Sequence, residues 1–170
     1  MDCCSKDKTQ LQQARRDFIQ AMRSVANSVA VVTTDGAAGR HGATVSSFCS
    51  VSADPPSVLV CLHDDSRIAQ YVRENGCFCI NVLPQEMSDT ADRFAGRNDD
   101  MLKDRFDDLD HAVGQTGCAG IDGAVAFHCV LTTQHLSGSH RVIIGNVEQV
   151  NGTFTRPLTY LDGEYRPWLY

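Results

Sequence analysis

Between His41 and Arg67 the chain reads HGATVSSFCSVSADPPSVLVCLHDDSR, and two groups of residues in it could do chemistry. In Gly42-Ala43-Thr44-Val45-Ser46-Ser47, small side chains and hydroxyls stand where a strand normally carries bulk. A strand this narrow lets a flat ring approach its backbone. The N–H groups and the hydroxyls of Thr44, Ser46 and Ser47 can then bond the ring's polar edge. Ser66 and Arg67 follow the next strand, at the start of a helix, and offer a phosphate a hydroxyl, backbone amides and a cation. The competing reading is structural: Ser46 and Ser47 pair with sheet neighbours, and Ser66 is an ordinary N-cap beside a solvated arginine.

Other catalytic machinery is not visible. There is no G-x-S-x-G elbow, no G-x-G-x-x-G after a strand and no Walker loop. His41, His63, His111, His128, His135 and His140 show neither H-x-x-x-H nor H-E-x-x-H spacing, so no metal site is expected. The eight cysteines contain no C-x-x-C and fall mostly in apolar runs, which reads as reduced core thiols of a cytoplasmic protein. A chain without a nucleophile–base pair suits chemistry carried by a cofactor.

The elements that must position these residues follow from pattern. Leu11, Ala14, Phe18, Met22 and Val25 recur at helical spacing and predict a helix over 10–25, after a flexible tail over 1–9. Strands are expected at 29–34, 42–51 and 57–62, with a hairpin turn at 35–40 and a bend at Asp54-Pro55-Pro56. A helix over 67–74 stops at Asn75-Gly76, and a strand at 77–83 leads to a helix from Pro84 to Phe94. Residues 96–123 are polar and glycine-containing and read as loops with a helical turn; strands resume at 125–134, 141–150 and 157–161. Short connections favour antiparallel pairing. The expected fold is one domain over 1–170, mainly β with peripheral helices: an antiparallel, Greek-key-like split β-barrel. At 42% hydrophobic and 21% charged, 170 residues can bury a core without staples. A net charge of −6 without a basic block argues against nucleic acid, and no apolar run is long enough for a transmembrane helix.

Several separated motifs, in order, carry a resemblance. "FIQAMRSVANSVAVVTTDGAAGRHGATVSSFCSVSADPPSVLVCLHDDSRIAQYV", "CFCINVLPQEMSDTADRFAG", "SGSHRVIIGNVEQV" and "PLTYLDGEYRP" together span about Phe18 to Pro167. The chain resembles the flavin reductase family with the FMN-binding split-barrel fold. It looks closest to the reductase components of two-component aromatic hydroxylases, such as 4-hydroxyphenylacetate 3-monooxygenase reductase, and is similar to the flavin reductase of pyrimidine catabolism. The resemblance implies an NAD(P)H:flavin oxidoreductase that uses NADH or NADPH to reduce FMN or FAD. Reduced flavin would then diffuse to a separate monooxygenase. By motif, Thr44, Val45, Ser46 and Ser47 would line the isoalloxazine, and Ser66 and Arg67 would hold the phosphate. Phe94, Ala95 and Gly96 would approach from the other side, and His140, Tyr165 and Arg166 would serve the nicotinamide.

Two departures stand out. Ser139 replaces the aspartate of a common Gly-Asp-His, and Ile68 stands where relatives often place a hydroxyl. Asp64 and Asp65 also bring negative charge close to the expected phosphate. Hydride transfer needs no protein acid or base, so proximity is the expected catalytic resource. A split barrel leaves sheet surface to cover, which favours a homodimer. The alternatives are a tightly flavin-bound electron-transfer or redox-sensing protein, a small-substrate flavin oxidase of the related pyridoxamine-phosphate oxidase type, and a flavin or haem storage module.

Overall fold

The computed structural model describes residues 3–97, 99–153 and 156–166. Twelve strands and three helices occur among them, in the order α1 (Cys3–Met22), β1 (Asn27–Ser28), β2 (Ala30–Thr34), β3 (His41–Val45), β4 (Phe48–Ala53), β5 (Pro56–His63), α2 (Arg67–Asn75), β6 (Cys77–Val82), α3 (Ser88–Phe94), β7 (His111–Val113), β8 (Ala119–Ile121), β9 (Val125–Ser137), β10 (His140–Asn151), β11 (Thr159–Leu161) and β12 (Glu164–Arg166). Seven strands form one antiparallel sheet, ordered β3-β2-β6-β9-β10-β5-β4. β1, β11 and β12 form a small second sheet, and β7 with β8 a separate ribbon.

The two edge strands of the large sheet, β3 and β4, are consecutive in sequence and joined only by Ser46 and Ser47. The sheet therefore curls until its edges meet at that link without hydrogen-bonding to each other, which is a split barrel. The single strand expected over 42–51 is thus two strands. The chain leaves one edge at Val45 and starts the other at Phe48, and Cys61 N–H on β5 donates to the Ser47 carbonyl at 2.8 Å to hold the crossing.

β2 is buried on both faces, as its run of β-branched residues requires. One face, with Ala30 and Val32, joins Val60, Leu62, Phe78, Ile80 and Ile143 inside the curl, and the apolar side of α2 (Ile68, Ala69, Val72) plugs it. The other face, with Val31, packs on Leu83, Ala91, Phe94, Phe106, Ile121 and Leu158. α2 stops where expected, at Gly76 in the left-handed region (φ 69°).

Two helix expectations change. α3 begins at Ser88 rather than Pro84, because Pro84 and Gln85 are drawn into pairing with Pro157 and Arg156. α1 runs from Cys3, so residues 3–9 of the stretch expected as a tail have helical backbone, while residues 1–2 lie outside the described residues; the helix ends at Met22 rather than Val25. Its apolar stripe is not packed on the rest of the chain: Leu11 is 69% and Phe18 65% exposed. The segment 96–123 carries the β7–β8 ribbon and turns; no helical turn is found among its described residues.

Candidate functional site

Two hollows lie along β3. The first, about 190 Å³, is lined by Thr44, Val45, Ser46, Ala95, Arg97 and the Tyr160–Tyr165 pair, with Val29 at its base. The tyrosine rings meet edge to face, with centroids 5.7 Å apart. The second, about 380 Å³, is bounded by Arg40, His41, Arg67, Lys103 and Arg105, with Asp99 and Asp104 among them and Leu102 and Phe106 beneath. From His41 to Val45 is roughly 14 Å at about 3.4 Å per residue. The segment after α3 runs alongside, with Ala95 and Arg97 lining the first hollow and residues 99–106 the second.

The hydroxyls of the narrow strand have different commitments. Thr44 Oγ1 donates to the Ala91 carbonyl of α3 at 2.6 Å, which ties β3 to that helix. Ser47 Oγ donates to the Cys61 carbonyl at 2.7 Å and lines neither hollow, so for Ser47 the sheet-pairing reading holds within this chain. Ser46 lines the first hollow, and its backbone stands outside the ladder of either strand.

Ser66 is the N-cap of α2. Its Oγ accepts from Ala69 N–H at 3.3 Å and donates to the His63 carbonyl. Arg67 is exposed and reaches the second hollow. Arg40 pairs with Asp104 at 2.6 Å and Arg105 with Asp99 at 2.7 Å, whereas among the described residues no ion pair is found for Arg67 or Lys103. The expected negative charge from Asp64 is compensated. Its carboxylate accepts from Arg141 Nε at 2.6 Å and from Arg73 at 3.2 Å, and the Arg141 bond foremost holds it below the ordinary carboxylate range. His41 is pushed down to about 4, first by burial and then by the Arg105 and Arg67 charges. It faces the second hollow as a neutral ring at neutral pH.

Behind β3 the packing is tight. Phe94 is fully buried against Phe106 and lines neither hollow, so it supports the site from the core. A Cβ on Gly42 would lie 2.6 Å from the Phe94 ring. Arg105 Nη1 donates to both the Gly42 and Phe94 carbonyls, at 3.0 and 2.9 Å, and fastens β3 to the end of α3. Gly96 sits at φ +82° with Arg105 2.7 Å from where a Cβ would be; it forms the turn and lines neither hollow.

The terminal residues separate. Tyr165 reaches the first hollow, and burial, then a bond to the Asp92 carboxylate, raises its hydroxyl to about 12. Arg166 pairs instead with Glu164 at 2.8 Å. His140 opens β10 at the end of the sheet, exposed, with Nδ1 3.0 Å from Ser139 Oγ and its ring edge to face with His63. Within one chain neither Arg166 nor His140 lines a hollow.

Several residues of the two hollows escape sequence reasoning. Tyr160, Arg97, Arg40, His41, Lys103 and Arg105 come from a hairpin, a terminal strand and a loop, and nothing local marks them as neighbours. A flat ring with a phosphate tail fits the arrangement. One end offers aromatic and small polar walls, the other Arg67 and Lys103, for which no ion pair is found among the described residues, and a narrow strand connects them.

Comparison with known proteins agrees. The family described as "Flavin reductase like domain" matches residues 22–169. FMN reductase (NADH) RutF 2 of Methylorubrum extorquens (strain PA1) is 40% identical over 153 residues, 88% of this chain and 87% of that protein. Among solved structures, nitrilotriacetate monooxygenase component B from Mycobacterium thermoresistibile superposes with a TM-score of 0.84 at 28% identity, covering 93% of this chain and 88% of the other. The Streptomyces globisporus C-1027 NADH:FAD oxidoreductase SgcE6, in complex with NAD and FAD fragments, does so with a TM-score of 0.83 at 27% identity, covering 92% and 94%. With the split barrel and the paired hollows already in place, the match over nearly the whole length makes this chain a member of the flavin reductase like domain family.

Proposed function

We propose that the chain is an NADH-dependent FMN reductase that releases reduced flavin to a separate monooxygenase component. The observation that carries this reading is that the two hollows lie at the two ends of β3, Thr44 and Val45 lining one and His41 the other. Thr44, Val45 and Ser46 form the wall against which the ring lies, with Ser47 holding the strand crossing and Ala95 and Gly96 shaping the facing turn. Ser66 fixes the start of α2, so that Arg67, with Lys103, meets the phosphate. Phe94 backs the strand. Flavin held there would supply the hydride-accepting chemistry, its N5 taking the hydride of nicotinamide C4.

The residues on the open side then have the task of stacking and orienting the donor ring, a role assigned to Tyr165 because it lines the first hollow. In a single chain His140 and Arg166 stand away from the ring, so contact with the nicotinamide falls to them only if a second copy or the length of the dinucleotide brings it there. The names of the relatives support FMN and NADH, and the neighbour bearing FAD fragments keeps FAD as a second acceptor. The partner follows from the likeness to a monooxygenase component.

A homodimer in the cytoplasm completes the proposal. The apolar stripe of α1 (Leu11, Phe18, Ile19, Met22) and Val51 on edge strand β4 are exposed, and a second copy would give them cover. The test is NADH oxidation by purified protein with and without added FMN. Turnover that depends on free FMN and saturates with it supports the reductase. Turnover carried by flavin that stays with the protein through gel filtration, indifferent to added FMN, overturns the release of reduced flavin.

A further inference from the structure

The mechanism uses no thiol, yet the fold brings two together. Cys77 is the first residue of β6, and Cys118 lies just before β8. Their sulfurs are 3.4 Å apart, within hydrogen-bond reach of each other. Cys118 is fully buried, and Cys77 is half-buried, with its sulfur 3.5 Å from the Asp35 carbonyl. We propose that Cys77 and Cys118 are an oxidation site, at which hydrogen peroxide converts the dithiol to an intramolecular disulfide.

The chemistry follows from the contact. A disulfide needs its sulfurs at about 2.05 Å, so they must close by about 1.4 Å, which side-chain rotation at the less buried Cys77 can supply. The contact with the Cys77 thiol pulls Cys118 down to about 7, aided by Thr116, and pushes Cys77 up. Cys118 is therefore the sulfur that gives up its proton first, with the Cys77 thiol beside it. The Cys118 thiolate attacks an oxygen of a peroxide that reaches it past half-buried Cys77. The O–O bond breaks, giving Cys118 sulfenic acid and hydroxide, and the hydroxide takes the Cys77 proton to become water. The Cys77 thiolate then attacks the Cys118 sulfur and expels hydroxide. Starting from two thiols, the sum is one disulfide and two waters per peroxide, with both sulfurs oxidised and both peroxide oxygens reduced. Cys79 stands in the same cluster, but burial holds its thiol far above neutrality, and its sulfur faces Asn81 Oδ1 at 3.7 Å.

The oxidant has a source in the proposed activity, since free reduced flavin reacts with dioxygen to give hydrogen peroxide. The site itself depends only on the two cysteines, so peroxide is added directly in the test and a failure there is independent of the reductase reading. Native protein is treated with a small excess of hydrogen peroxide, denatured, alkylated, digested and mapped by mass spectrometry. The expected result is a Cys77–Cys118 cross-linked peptide, removed by dithiothreitol, with Cys79 and Cys129 still alkylated. Cys77→Ser should abolish the cross-link. The wild-type map carries the test on its own should the buried Cys118→Ser fail to fold. Both cysteines remaining alkylatable, a bond to a different cysteine, or sulfinic acid at Cys118 without a cross-link would each overturn the proposal.

Discussion

Arg67→Ala separates the two ends of the site. Arg67 is exposed, lines the cationic hollow, and has no ion pair among the described residues, so its removal leaves no buried charge stranded. The fold should therefore hold to within about 0.5 kcal/mol, the usual range for a surface substitution. A hydrogen bond to a charged group contributes about 1.5–3 kcal/mol. At about 1.4 kcal/mol per tenfold, FMN should bind about 10- to 150-fold more weakly, with the exposed position favouring the lower end. Riboflavin keeps the ring and lacks the phosphate, so its affinity should not change. The assay is quenching of flavin fluorescence on titration of protein, for both ligands and both proteins, at two salt concentrations. Added salt should weaken FMN binding to the wild type more than to the variant, because part of the attraction is screened. Equal losses for FMN and riboflavin, or no loss for either, would refute the placement of the phosphate in the second hollow.

Ser66→Ala removes the cap of α2 and should cost about 1 kcal/mol, lowering Tm by about 2–4 °C, as read by thermal unfolding without ligand; an unchanged Tm would show that the cap is dispensable. Gly42→Ala places a methyl 2.6 Å from the Phe94 ring, so it should destabilise by about 1–3 kcal/mol in denaturant titration, and wild-type stability would show that β3 yields easily. His41 titrates near 4 when folded and near its ordinary 6.5 when unfolded, so between these values the unfolded chain binds the extra proton. Stability contributed at this site is present above about 6.5 and is lost as pH falls toward 4, and His41→Gln should flatten that part of the profile. Inorganic phosphate in the second hollow would favour the imidazolium and raise the His41 titration midpoint seen by NMR; a midpoint indifferent to phosphate would argue against an anion there.

What could be read in the sequence and what could not divide along a physical line. β5, β9, β10 and α2 were legible because their signals are local: continuous apolar runs, a serine cap, an Asn-Gly stop. The proline at 84 was also a local signal, but a helix start there lost to pairing with Pro157, a contact that no local rule contains. The break between β3 and β4 was hidden for a related reason, since alternation along a strand does not say where the chain changes edges of a curled sheet. The cationic hollow was the least legible part. Arg40 and Asp104 meet across 64 positions, and Arg105 reaches Gly42 across 63. The cysteines behaved alike: no C-x-x-C marks Cys77 and Cys118, which meet across 41 positions. Motif resemblance reached Ser66 and Arg67, but it could not say that Ser66 is spent on the helix while Arg67 has no ion pair among the described residues. That distinction needs the partners of each side chain. It also orders the site, since Thr44, Ser47 and Ser66 hold the frame through bonds to carbonyls, while Ser46 and Arg67 line the hollows and are the groups proposed to meet the flavin.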